Sequence, residues 1–150
     1  MTLKEAYDNR RKANDLWKTP IKTYEDLDKE FHFDFDPCPM NADFDGLKCD
    51  WGKVNFVNPP YSGNNIWNWL IKGLIESAKG KTSVYLLPSR TGTKWFHEIV
   101  LCHELEVRFL RGRIKFSGRI WNAPFDSIVV IINPRMWGSR FSIEAAEKLK

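Results

Sequence analysis

The chain has little of several things, and each shortage removes a class of function. Three cysteines in 150 residues, Cys38, Cys49 and Cys102, make an odd number with no C-x-x-C spacing. Three scattered histidines do not complete a zinc pattern with them, and no disulfide framework is indicated, so no metal site is expected. Reduced thiols fit a cytoplasmic protein. No apolar run approaches the roughly eighteen residues of a membrane span, and Met1-Thr2-Leu3-Lys4-Glu5 contains no apolar signal core. The charge imbalance is small: 23 Lys and Arg against 19 Asp and Glu leave +4, which permits a polyanionic partner without requiring one. There is no internal repeat, linker or low-complexity segment.

What is present is the composition of one globular domain, 43% hydrophobic and 28% charged. A chain this long buries about two-thirds of its unfolded surface. Aromatic residues reach 14% with seven tryptophans, which suits stacking surfaces although most of the rings belong in a core. Residues 1–16 are polar and charged and read as an arm or frayed helix; the domain proper is 17–150.

Within the domain, Thr23 and Asp26 resemble a capping box that opens a short helix to about Glu30. Phe31 to Asp36 alternates aromatic with polar and reads as the first strand, closed by Pro37-Cys38-Pro39. Val54 to Val57 is a short buried strand. Apolar residues at helical spacing then run from Asn65 to Lys79. Strands follow at 82–88, 104–110 and 125–133, the last the most apolar and placed at the sheet centre, with helices at 95–102 and 142–149. Arg111 to Arg119 alternates cations, glycines and apolar residues, which reads as a hairpin with one basic face. The alternation of strand and helix makes the class α/β, with about five mainly parallel strands and flanking helices.

The chemistry concentrates at Asn58-Pro59-Pro60-Tyr61, directly after the strand ending at Val57. Two prolines fix φ and donate no backbone hydrogen bond, so the strand must stop and the chain leaves in one stiff conformation. In α/β sheets, ligands bind beyond the carboxyl ends of strands, where this corner lies. An exocyclic amine on a planar ring is a poor nucleophile because its lone pair is delocalised. The Asn58 side-chain oxygen and the Pro59 carbonyl, each accepting one N–H, would draw that nitrogen toward tetrahedral geometry. Tyr61 would offer a flat stacking face. No general base is needed before transfer, because the proton can leave afterwards.

With Trp17-Lys18-Thr19-Pro20, Phe35-Asp36-Pro37-Cys38, Gly112-Arg113-Ile114-Lys115-Phe116 and Ala123-Pro124-Phe125-Asp126-Ser127, this corner resembles the short phage-type DNA adenine-N6 methyltransferases (Dam-like) over residues 17–133. The resemblance implies a truncated Rossmann-like fold, S-adenosylmethionine as methyl donor and double-stranded DNA as partner, acted on through a flipped-out base. It implies a phage or prophage origin, and leaves the oligomeric state open. It also assigns roles. Asn58, Pro59, Pro60 and Tyr61 are catalytic. Thr19, Pro20, Asp36, Pro37, Cys38 and Asn58 hold the cofactor; of the loop carboxylates Asp43, Asp45 and Asp50, candidates for its ribose hydroxyls or adenine amine, Asp50 is the one chosen. By their charge and their place at the same edge, Arg90, Lys94, Arg111, Arg113, Lys115 and Arg119 are the candidates for contact with the DNA backbone. One departure stands out: the turn after Asp36 has no G-x-G. Twenty-two positions separate Asp36 from Asn58, too few for the usual second and third strands with their helices, so residues 43–51 must serve as a loop around the cofactor. Methylation of a glutamine side chain or of cytosine N4, and a DNA-binding module that retains the fold without catalysis, are the alternatives.

Overall fold

The computed structural model describes residues 17–134. The N-terminal arm and the helix expected at 142–149 lie outside the described residues. Four strands form one sheet: β1 (Val54–Val57), β2 (Thr82–Pro88), β3 (Glu106–Phe109) and β4 (Ser127–Ile132), in the order β1-β2-β4-β3. The pair β1–β2 is parallel, and both pairings of β4 are antiparallel. Three strands therefore run one way and β4 alone opposes them. The expectation of about five mainly parallel strands is corrected accordingly. A parallel neighbour requires a crossover, usually helical, and no helix separates β3 from β4.

The missing strand is the first one. Helix α1 (Ile21–Phe31) runs through Phe31, and His32, at φ 55°, ends it in the left-handed conformation with its N–H on the Asp28 carbonyl. Phe33 N–H then bonds Asp28 Oδ1 at 2.8 Å. These closing bonds take up the start of the alternating stretch, and only Phe35 bridges Asn55 on β1. At its other end α1 begins directly after Pro20, whose carbonyl accepts from Tyr24 N–H at 3.1 Å. Thr23 thus sits inside the first turn and caps nothing.

Helix α2 (Asn65–Ala78) and strand β2 form where the periodicity places them. The helix between β2 and β3 winds with π geometry over Phe96–Leu101. The two helices α1 and α2 take opposite faces of the sheet. Side chains alternate along a strand, and the register puts Phe56, Val84, Val129 and Arg108 on one face. There Tyr24 meets Phe56 edge-on at 5.1 Å, and Glu30 holds Arg108 through two bonds of 2.6 and 2.8 Å. Tyr85 points to the other face and donates to the Trp69 carbonyl of α2 at 2.8 Å.

Gly73 is what lets α2 sit so close. A Cβ there would lie 1.9 Å from the Tyr85 hydroxyl and 3.0 Å from Ile132 Cδ1. Tyr85 is fully buried and cannot retreat. Gly73→Ala gains helix propensity of about 1 kcal/mol, but overpacking costs about 1–3 kcal/mol. We expect a net loss of stability in denaturant titration; an unchanged or raised midpoint would show that Tyr85 does yield.

The stretch 111–119 is not a hairpin. Phe116 turns inward and is buried against Trp17 and Phe125, with ring centroids 5.1 and 6.1 Å away. Gly112 and Gly118, at φ 76° and 79°, make the turns on either side. Burying Phe116 draws the chain off the line on which two strands would pair, leaving a bond from Ala123 N–H to the Ile114 carbonyl at 2.8 Å. Strand β4, with all six residues buried, is interior as expected.

Candidate active site

Strand β1 ends at Val57, and Asn58 is the first residue past its carboxyl end. Both ends of the Asn58 amide are engaged. Its Nδ2 donates to the Trp17 carbonyl and, at 2.9 Å, to Thr19 Oγ1. Its Oδ1 accepts from the Tyr61 hydroxyl at 2.6 Å. An amide nitrogen only donates and an amide oxygen only accepts, so these partners decide which way the group faces. The oxygen has two lone pairs, and Tyr61 takes one.

Tyr61 is built in as a prop. Its ring is 2% exposed, with Phe125 at 5.9 Å, and its hydroxyl also lies 3.1 Å from the Leu86 carbonyl on β2. Burial pushes its phenol far above the ordinary range, so the hydroxyl keeps its proton and is no base. The stacking face expected from the sequence is covered. Arg90, expected on a phosphate, donates from Nη1 to the Tyr61 carbonyl at 3.0 Å and so braces the corner from outside.

Beside the corner lies a cavity of about 690 Å³. Thr19, Asp36, Cys38 and Asn58 line it, together with Trp17 and Tyr24. Pro20 and Pro37 adjoin lining residues without lining it themselves. Asp36 caps its own turn, accepting Cys38 N–H at 2.9 Å. Burial raises the Asp36 carboxyl, and the Cys38 N–H works against that rise. Burial, and then the charge of Asp36, pushes the Cys38 thiol up to about 12, so it is a neutral wall and not a nucleophile. Without a glycine in the Asp36 turn, close approach is managed elsewhere. A Cβ on Gly46 would lie 1.9 Å from the Pro37 carbonyl, so the 43–51 loop folds tightly against the turn.

Asp50 is not brought to this cavity. It pairs with Lys79 at 3.3 Å, and Lys79 immediately follows α2 and precedes β2. That is the amino end of the strands, opposite Asn58.

The remaining cations divide by surroundings. Lys94 lies over the Trp67 ring at 4.9 Å and 3.9 Å from Glu98. Arg113 is 3.9 Å from Asp126, and Arg119 stacks on Trp17 at 4.5 Å. Arg111 and Lys115 are exposed and form no ion pair among the described residues. Trp17 belongs to a motif quoted from the sequence, but the part it plays here is not legible there. Its carbonyl orients Asn58, and its ring joins Phe116, Phe125 and Arg119 to the corner. Tyr24 and Met40 also line the cavity with no local signal to mark them. No helix among the described residues is long and apolar enough to cross a membrane.

No curated protein and no solved structure matches the chain. Residues 8–136 match the family model described as DNA N-6-adenine-methyltransferase (Dam), a span that contains the cavity, the corner and the cationic loop.

Proposed function

The chain belongs to the DNA N-6-adenine-methyltransferase (Dam) family, and within it we propose that this domain transfers a methyl group from S-adenosylmethionine to adenine N6 in double-stranded DNA. The observation that carries the reading is the Asn58 amide, pinned at three points with its oxygen fixed at the edge of the cavity. The residues present suit the cofactor. A cavity of about 690 Å³ falls within the roughly 300–1,000 Å³ usual for small-molecule sites. Asp36 offers a carboxylate for the cofactor's ammonium group, and Thr19, Cys38 and the aromatic rings supply the rest of the wall. When bound, S-adenosylmethionine supplies an electrophilic methyl group.

The protein's part is positioning, which can account for much of such a rate. Asn58 Oδ1 accepts one N–H of the adenine amine with its second lone pair, and the Pro59 carbonyl accepts the other. Pro59 and Pro60 hold those acceptors still. Tyr61 acts through Asn58 by setting the amide. Adenine in a duplex is shielded by pairing and stacking, so it must be flipped out at a cost of a few kcal/mol. Arg111, Arg113, Lys115 and Arg119 are the groups we assign to the phosphates, with Lys94 at the margin. Asp50 has no part in the site.

The test is transfer from labelled S-adenosylmethionine to unmethylated duplex DNA, followed by nucleoside analysis. N6-methyladenine is the expected product. Label in cytosine or in protein would move the reading to the corresponding alternative, and no label anywhere would leave a DNA-binding module.

The raised Asp36 carboxyl gives a further expectation. A raised group protonates at higher pH than an ordinary carboxylate, and the protonated form cannot pair with an ammonium. S-adenosylmethionine affinity should therefore weaken as pH falls, by up to about tenfold per unit below the Asp36 pKa. The onset should lie above the ordinary carboxylate value of 3.8. Calorimetric titration across pH checks this, and Asp36→Asn should bind weakly with a flat profile.

A further inference from the structure

We infer that Ile120 and Trp121 form a wedge that enters the DNA stack and occupies the space left by the flipped adenine. The inference rests on the reading of duplex DNA as substrate and adds the element that would hold the duplex open. Ile120 and Trp121 are 80% and 81% exposed, the most exposed large apolar side chains among the described residues. They are adjacent, at the tip of a loop whose two bases are firmly held. Phe116 and Ala123 are each 1% exposed, and Ala123 N–H bonds the Ile114 carbonyl. Gly118, at φ 79°, makes the turn that projects the tip.

The loop is tied directly to the strap that orients Asn58. Ser117 N–H donates to the Lys18 carbonyl at 2.9 Å, and Ser117 Oγ to the Thr19 carbonyl at 3.3 Å. Arg119 lies over the Trp17 ring. A cleft of about 360 Å³ separates Trp17 from Ile120 and Trp121. The tip and the catalytic corner are therefore two sides of one small assembly.

Charge selects the occupant. An apolar patch of this kind marks an interaction site, and Arg111, Arg113, Lys115 and Arg119 lie in the same loop. Cations beside an exposed indole suit a polyanion with flat apolar faces. Apolar side chains that kink DNA enter between base steps in this way. Stacking on an aromatic ring contributes about 1–3 kcal/mol per base, comparable with the few kcal/mol that unstacking costs.

The test compares the wild type with Trp121→Ala on a short duplex that the wild type methylates. The same duplex is then used with the thymine opposite the methylated adenine replaced by an abasic site. Removing the partner removes the pairing cost that the wedge offsets. The variant should lose about 10–100-fold on the intact duplex and come within about threefold of wild type on the abasic one. An unchanged rate on the intact duplex, or the same loss on both, overturns the wedge while leaving methyl transfer standing. If the wild type methylates no duplex at all, the proposed function fails by itself. The wedge is then decided by the indole emission lost between wild type and Trp121→Phe. Quenching of that difference on duplex binding supports insertion, and no quenching overturns it.

Discussion

Asn58→Ala is expected to lower kcat by about 10³-fold or more while S-adenosylmethionine still binds and the domain still folds. The size follows from the role. Losing one preorganised hydrogen-bonding group aimed at developing charge typically costs an active site about 10²–10³-fold, and Asn58 is also the group that fixes where the amine stands. The stability cost should be small, about 1–2 kcal/mol, because the Trp17 carbonyl and Thr19 Oγ1 lose one partner each at the edge of the cavity while the Tyr61 hydroxyl keeps the Leu86 carbonyl. Asn58→Asp separates geometry from chemistry. The side chain keeps its shape, yet a carboxylate has no N–H for the Trp17 carbonyl, and two acceptors would face each other there. Its rate should fall by at least tenfold despite the added negative charge. Thr19→Val removes one of the two acceptors of Nδ2 and should reduce kcat by a few-fold. Single-turnover rates read all three. Full activity in Asn58→Ala would sink the assignment of the corner. A loss confined to KM would make Asn58 a binding residue.

Much of this corner was legible in the sequence because its determinants are local. Two prolines after an apolar run end a strand wherever they occur, and the periodicity from Ile66 to Ala78 specifies a helix without help from elsewhere. Strand β2 is bounded by its own proline in the same way. The errors arise where two local signals compete or where the deciding contact is distant. Phe31 to Asp36 alternates like a strand, but Asp28 closes the preceding helix by capturing the N–H groups of His32 and Phe33. The cationic stretch alternates like a hairpin, but Phe116 finds a better partner in Trp17, 99 residues earlier. Spacing along a chain also does not say at which end of a strand a loop residue will lie. Asp50 is eight positions from Asn58 and on the far side of β1 from it. Tyr61 shows the limit most clearly. Its identity is given by the motif, while its orientation is decided by the Leu86 carbonyl and Phe125, neither of which is near it in sequence.

The other large effect belongs to Glu76, at the amino end of the strands. Its side chain is fully buried, yet it sits among three ammonium groups. Lys72 is 2.6 Å away, Lys81 2.7 Å and Lys79 3.2 Å. Lys81 in turn donates to the Trp51 carbonyl at 2.7 Å, and Lys79 reaches Asp50. One carboxylate thus ties α2 to the loop that leads into β1. Burial alone would raise its pKa, but hydrogen bonds from the lysines outweigh burial and hold it at about 2, against an ordinary 4.5. A lowered carboxyl contributes stability that is present above its unfolded value and lost as pH falls through the folded one. The domain should therefore lose about 3 kcal/mol between pH 4.5 and about 2 through this group. Glu76→Ala should cost about 3–5 kcal/mol at neutral pH, because it leaves partly buried lysines facing one another without their counter-ion. For a domain of this size that is a fall of about 10 °C or more in Tm. The proper control is Glu98→Gln, an exposed partner of Lys94 at 3.9 Å, which should change stability by less than about 0.5 kcal/mol. Because Glu76 lies at the opposite end of the sheet from Asn58, methyl transfer by Glu76→Ala should persist at low temperature and disappear together with the fold on warming. Loss of activity in protein that is still folded would mean that the two ends of the sheet are coupled.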